Sequence, residues 1–166
     1  MSRAFVKEDG PDNTPLPDLP IPPHPNYVTP RGLASLRGRL AETQTLLAGL
    51  RNRADRLDRL PEAAAERDIR YLEARLRSAI LVDPARQPRD EVAFGARITV
   101  LGADGTSRDF EITGEDEADA ALGRIAPQSP LARALLGARV GDRVSWAKPA
   151  RSEDLEIVSI RYPDAP

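Results

Sequence analysis

The sequence predicts an α+β fold: an N-terminal antiparallel α-helical coiled-coil hairpin, followed by a C-terminal β-sheet domain with one short helix. Three observations carry this expectation. From Leu33 onward, apolar residues recur at alternating steps of 3 and 4. Beyond residue 91 the apolar period falls to 2. Between the two regimes lie Asp83-Pro84 and Pro88, where a helix cannot readily continue.

Residues 1–28 hold prolines at 11, 15, 17, 20, 22, 23 and 25 and few apolar side chains. Such a segment buries too little to offset its ordering entropy, which predicts a disordered or polyproline-like arm. The hairpin is expected over residues 29–83. Thr29-Pro30 has the form of a helix start, a hydroxyl N-cap followed by proline in the first turn. The first seam reads Leu33, Leu36, Leu40, Thr43, Leu47, Leu50, Ala54, Leu57, and the second Ala65, Ile69, Leu72, Leu76, Ala79. Both follow the coiled-coil repeat. Asp58-Arg59-Leu60-Pro61 lies between them and predicts the turn, because proline forbids an unkinked helix interior. The second helix is expected to stop near Val82, and residues 84–91 to form a linker.

The sheet domain is expected over residues 92–163. Val92, Phe94, Ala96, Ile98 and Val100 alternate as in a half-buried strand, and Asp104-Gly105 signals a hairpin turn to Phe110 and Ile112. Ser129-Pro130 opens a short helix that Gly137 closes. Val144 and Trp146 mark another strand. The last, Leu155 to Tyr162, changes phase between Ile157 and Val158, the mark of a bulge.

Composition narrows the possible chemistry. The chain has 166 residues, sixteen prolines and four per cent aromatic residues, which argues against one large core. No run of about 18 apolar residues exists to span a membrane, and Met1 to Glu8 turns charged too soon for a signal peptide, so a cytoplasmic protein is expected. The absence of cysteine excludes disulfides and thiolate metal sites. His24, the only histidine, sits in Pro22-Pro23-His24-Pro25, a poor foundation for a triad or a multi-histidine metal site. Asp116-Glu117-Ala118-Asp119 spells a helicase-like string, but no phosphate-binding glycine loop accompanies it, so an ATPase is excluded. The net charge of −2 divides unevenly: −2 over residues 1–28, +4 over residues 29–82 and −4 over residues 83–166. The middle segment is therefore a basic module between acidic ones.

Val28-Thr29-Pro30-Arg31-Gly32-Leu33 resembles the opening of the Gre-family transcript cleavage factors. Val82-Asp83-Pro84, Gly114 to Asp119, Ser129 to Gly137 and Val140-Gly141-Asp142 extend the resemblance in order, across about residues 27–163. It implies an FKBP-like C-terminal domain docked at the rim of the secondary channel of bacterial RNA polymerase. It also implies a hairpin that enters the channel as a monomer, with two tip acids helping to hold a catalytic magnesium ion in the polymerase. The chain would then carry no cofactor of its own, at most a magnesium held jointly with the polymerase, which itself hydrolyses the RNA. Cleavage-competent members carry a tip close to Gly-Asp-x-Ser-Glu-Asn-Ala-x-Tyr, and nothing like it occurs between Leu50 and Tyr71. With a turn near Asp58 each helix has about 24–26 residues, roughly 36–39 Å. That is shorter than the family's hairpin by about one heptad per arm, or on the order of 10 Å. A metal-holding carboxylate must lie about 2.1 Å from the ion, so such a shortfall removes the chemistry.

Asp55, Asp58 and Glu62 are the tip acids, able either to present a carboxylate pair to a partner's metal or to cap the second helix. Arg51, Arg53, Arg56, Arg59, Arg67 and Arg70 form a basic hairpin face suited to nucleic acid within the transcription complex, to acidic channel walls, or to pairing with their own helix acids. The resemblance puts Asp116, Glu117, Ser129, Pro130 and Leu131 on the surface that grips the polymerase. Trp146 and Phe110 are read as core, or else as walls of a proline-binding pocket. The expected function is polymerase binding at the secondary channel that modulates elongation or initiation without RNA cleavage. The alternatives are a cleavage stimulator acting through Asp58 and Glu62, and a prolyl isomerase.

Overall fold

The computed structural model describes residues 14–163. Strand β1 (Tyr27–Val28) leads into helix α1 (Pro30–Arg51), followed by α2 (Leu60–Ser78) and β2 (Ile80–Leu81). The sheet domain follows as β3 (Arg97–Gly102), β4 (Ser107–Ile112), β5 (Arg124–Ile125), α3 (Pro130–Leu135), β6 (Arg143–Trp146) and β7 (Glu153–Arg161). The chain is thus an α+β protein, a helical hairpin and a sheet domain with one short helix. Two compact units emerge, and they cut across the expected division at residue 83: residues 14–23 group with Arg37–Arg77, and His24–Leu36 with residues 78–163.

Within the hairpin the seam governs burial. Leu33, Leu36, Leu40, Thr43, Leu47 and Leu50 are buried or half-buried, while residues 37–39, 41–42, 44–46 and 48–49 are exposed. On α2, Ala65 and Leu72 are buried and Ile69 and Leu76 half-buried, as is Ala79 just past its end. Each buried leucine contributes about 1.5–3 kcal/mol of transfer free energy. At the start of α1, Thr29 Oγ1 accepts the Gly32 N–H at 2.9 Å, as the N-cap reading expects.

Both helices are shorter than expected. Helix α1 has 22 residues and α2 has 19, about 33 and 28 Å at 1.5 Å per residue. Ala54 and Leu57 leave the seam for an exposed loop. Local polar bonding ends the helix there. Arg53 Nε donates to Leu50 O (3.1 Å) at the α1 C-terminus and its Nη2 donates to Asp58 O (3.1 Å) across the loop. Asp55 and Asp58 accept backbone N–H groups two residues ahead. Such turns compete directly with helix. Helix α2 ends at Ser78 rather than near Val82, because Ile80-Leu81 pairs in parallel with Tyr27-Val28. Ile80 N–H donates to Asn26 O at 2.8 Å and Val82 N–H to Val28 O at 3.0 Å.

Residues 14–28, expected as part of an unstructured arm, are placed: 14–23 run beside α2, and Tyr27-Val28 is a strand. Residues 1–13 of that expected arm lie outside the described residues.

The sheet has the order β5-β4-β3-β7-β6, with β4 and β5 parallel and the other pairs antiparallel. Its apolar face, with Ile98, Val100, Leu155 and Ile157, packs with Leu131, Ala132 and Leu135 of α3. The phase change in β7 is a bulge: Thr99 faces Ser159 and Val100 faces Ile157, leaving Val158 as the extra residue. The expected first strand is truncated at Gly95, whose φ of +87° suits only glycine well. Val92 and Ala96 remain buried, but Val92 bonds to the loop after α3, with its N–H on Ala138 O and its C=O accepting the Gly137 N–H. The linker expected at 84–91 begins with a short 3₁₀ turn, Pro84–Arg86, capped by Asp83.

Candidate functional site

In the sheet-domain unit, the segment that opens α1 is fastened by a charged latch. Strand β4 positions Glu111, and the loop after it positions Glu117. Thr29 Oγ1 donates to Glu117 Oε2 at 2.6 Å, and Arg31 Nε donates to Glu117 Oε1 at 2.5 Å. Arg31 Nη2 reaches Glu111 Oε1 at 2.7 Å, and Arg97 Nη2 reaches Glu111 Oε2 at 3.2 Å. The two carboxylates are only 7% and 6% exposed in their side chains. Partial burial alone would lower the Arg31 pKa, but the hydrogen bonds and charges of Glu111 and Glu117 outweigh it and hold the guanidinium above its ordinary value.

The latch explains two glycines. A Cβ on Gly32 would stand 2.6 Å from Glu117 Oε2, and one on Gly114 would stand 2.6 Å from the carbonyl oxygen of Tyr27. Sequence reasoning treated Thr29 as a cap and Glu117 as an outward contact, and missed that they bond each other. The available signal was that both motifs carrying the resemblance, Thr29-Pro30-Arg31-Gly32 and Gly114 to Glu117, contain a glycine at a point of close approach.

The residues expected to grip a partner therefore divide. Asp116 is half-buried in the latch loop, and Pro130 is exposed at the start of α3. Ser129 caps α3, its Oγ accepting the Ala132 N–H (3.3 Å) and donating to Ala126 O (2.8 Å). Glu117 is engaged in the latch. Leu131, expected as a contact, is 3% exposed and belongs to the core, because the turn set by Ser129-Pro130 directs it beneath α3.

Trp146 and Phe110 lie at the margin of the core, edge to face with centroids 6.1 Å apart. The Lys148 ammonium sits 4.1 Å from the Trp146 ring centroid, and Arg108 lies 5.6 Å from it. Lys148 and Arg108 in turn bond to Glu153, whose carboxylate is held below its usual range, chiefly by the Lys148 hydrogen bond. The indole face is thus covered by cations instead of opening into an apolar pocket.

In the hairpin unit the tip is a charge-paired cap. Arg56 bonds Glu62 through both guanidinium arms, at 2.9 and 2.6 Å, and Arg53 lies 3.9 Å from the same carboxylate. Arg51 pairs with Glu66 at 2.7 Å, linking the end of α1 to the start of α2. Arg67 pairs with Asp68 at 2.8 Å and Arg70 with Asp18 at 2.6 Å. Arg59 is half-buried beside Asp58. Asp55 Oδ1 accepts the Leu57 N–H (2.9 Å), and Asp58 Oδ1 accepts the Leu60 N–H (3.0 Å). Among the tip's large side chains, those most open to solvent are Leu57 and Leu60, at 84% and 61% exposure. The Arg56 hydrogen bond, opposed by desolvation and aided by the Arg59 and Arg53 charges, lowers the Glu62 pKa.

A pH dependence follows. Because the folded-state pKa is depressed, the stabilisation is complete above about 4.5, the ordinary glutamate value, and is lost as pH falls through the folded value. Amide protection factors in residues 52–62, taken against the intrinsic exchange rate at each pH, should therefore fall on acidification below that point. In Glu62→Gln the acid-dependent fall should vanish.

The fit to a metal is poor. Among the described residues no group of three or more histidine, aspartate or glutamate side chains stands close enough to hold an ion. Both oxygens of Glu62 already face Arg56.

The chain is similar in sequence to known transcription elongation factors. Residues 87–162 match the family model for the C-terminal domain of transcription elongation factor GreA/GreB. Transcription elongation factor GreB of Neisseria meningitidis is 36% identical over 153 residues, covering 82% of this chain and 94% of that protein. Transcription elongation factor GreA of Alkalilimnicola ehrlichii is 33% identical over 152 residues, covering 81% and 96%. Among solved structures, the GreA factor homolog 1 protein of Thermus thermophilus is similar over 83% of this chain and 99% of its own, with a TM-score of 0.41 and 23% identity. The chain belongs to the GreA/GreB family of transcription elongation factors. No helix among the described residues is long and apolar enough to cross a membrane.

Proposed function

We propose that the chain binds bacterial RNA polymerase at the secondary channel and modulates elongation or initiation without stimulating RNA cleavage. Its family membership supports the partner. The state of the tip acids supports the absence of cleavage: Glu62 is bridged by Arg56, and Asp55 and Asp58 are folded into local turns. A carboxylate already bound to a guanidinium would have to exchange that partner for a metal, and the tip supplies no neighbouring acid cluster to favour the exchange. We assign polymerase contact to the loop around Asp116 and to Ser129 and Pro130, and contact with channel walls or nucleic acid to Arg51, Arg53, Arg56 and Arg59. The protein acts in the cytoplasm as a monomer and holds no magnesium jointly with the polymerase.

The test is a backtracked transcription complex incubated with the full chain. We expect no shortened transcripts, and no difference between the native chain, Asp58→Ala and Glu62→Ala. Transcripts shortened by the native chain but not by either variant would overturn the reading in favour of cleavage through Asp58 and Glu62.

A further inference from the structure

We propose that α2 carries a groove for an extended, proline-rich segment bearing one carboxylate, filled in this chain by residues 14–23 acting as a detachable strap. The coiled-coil seam uses Ala65, Ile69, Leu72 and Leu76. A second stripe of α2, with Ala63, Glu66, Arg70, Ala74 and Arg77 spaced by 3 or 4 residues, lines depressions shared with the segment. Pro15 and Leu16 line the first, a cavity of about 330 Å³, and Leu19 and Ile21 line the second with Tyr71.

Arg70 is the clamp. Its Nε donates to Asp18 Oδ1 at 2.6 Å and its Nη2 to the carbonyl oxygen of Leu16 at 2.9 Å. One planar fork thus reads a side chain and a main-chain group two residues apart, which a lysine cannot reproduce. Proline suits the occupant: it lacks an N–H to desolvate, and its fixed φ lowers the entropy lost on docking.

The strap is held weakly enough to detach. Asp18 is 74% exposed and Arg70 40%, so the ion pair is screened by salt. While docked, the strap covers one side of α2 and occupies Arg70. Released, it leaves that guanidinium to an acidic or phosphate-bearing partner. This last consequence rests on the polymerase reading above, whereas the strap itself does not.

The chain has no cysteine, so Leu19→Cys introduces a unique thiol at a half-buried strap position. In the full chain at low salt this thiol should react with a maleimide several-fold more slowly than in the urea-unfolded chain. Adding Arg70→Ala or Asp18→Ala should restore most of the rate, the two together no more than either alone, and Arg70→Lys should restore part of it. Helix content by circular dichroism, unchanged in these variants, separates strap release from unfolding. A thiol that reacts at the unfolded rate in the parent chain, or one indifferent to Arg70→Ala, overturns the proposal. Polymerase affinity measured on Asp18→Ala then isolates the consequence. Tighter binding supports the masking of Arg70. Unchanged binding alongside a released thiol leaves the strap standing and overturns the masking of Arg70.

Discussion

Glu117→Ala should lower the stability of the sheet-domain unit by about 2–3 kcal/mol. The Glu117 carboxylate is almost entirely buried and accepts from Thr29 and Arg31. Its removal takes the acceptor from the hydroxyl proton of Thr29, a residue 8% exposed, and leaves Arg31 with Glu111 as its remaining latch partner. The loss is smaller than for a fully buried pair because Arg31 is 41% exposed and water can reach it. Trp146, the only tryptophan, lies in this unit, so its fluorescence reports the right transition. For a unit of this size a fall in Tm of roughly 10–14 °C is expected. Glu117→Gln, which retains an acceptor but not the charge, should fall between. A Glu117→Ala variant as stable as the parent would show that the latch is ornamental.

Gly114→Ala should cost about as much by a different route, at the upper end of the 1–3 kcal/mol expected for overpacking. The added methyl would stand 2.6 Å from the Tyr27 carbonyl oxygen and 3.7 Å from Val28 Cα. The obstacle is backbone, so no rotamer change relieves it. Either the loop carrying Glu117 moves or β1 does, and either movement opens the latch. The two effects should therefore be sub-additive in the Gly114→Ala, Glu117→Ala double variant. Full additivity would mean that the glycine and the carboxylate act independently.

How far the sequence reached differs by element. The seam from Leu33 to Leu50, the cap at Ser129 with Gly137 beyond it, and the bulge at Val158 were legible because each rests on residues adjacent in sequence. The tip was only half legible. Heptad spacing carried the seam on through Ala54 and Leu57, yet Arg53, Asp55 and Asp58 form local bonds that stop the helix first. The surroundings of Glu117 and Leu131 escaped the sequence for a common reason. The loop and helix motifs named the right segments, but which side of a turn faces inward depends on partners some 90 residues away in the first case and on the sheet core in the second. The strap was invisible because proline-rich composition speaks to what a segment can do alone, and the α2 stripe that receives it looks like an ordinary charged face.

The parallel pairing of Tyr27-Val28 with Ile80-Leu81 has an evolutionary corollary. The stretch from Arg37 to Arg77 is thus inserted between two segments of the sheet-domain unit that are clasped side by side. Closure entropy grows only logarithmically with the length of such an insert, about 0.6 kcal/mol per doubling. Heptads could accordingly be gained or deleted within it while the clasp and the sheet fold as before, so that the length of the hairpin varies without disturbing the sheet domain.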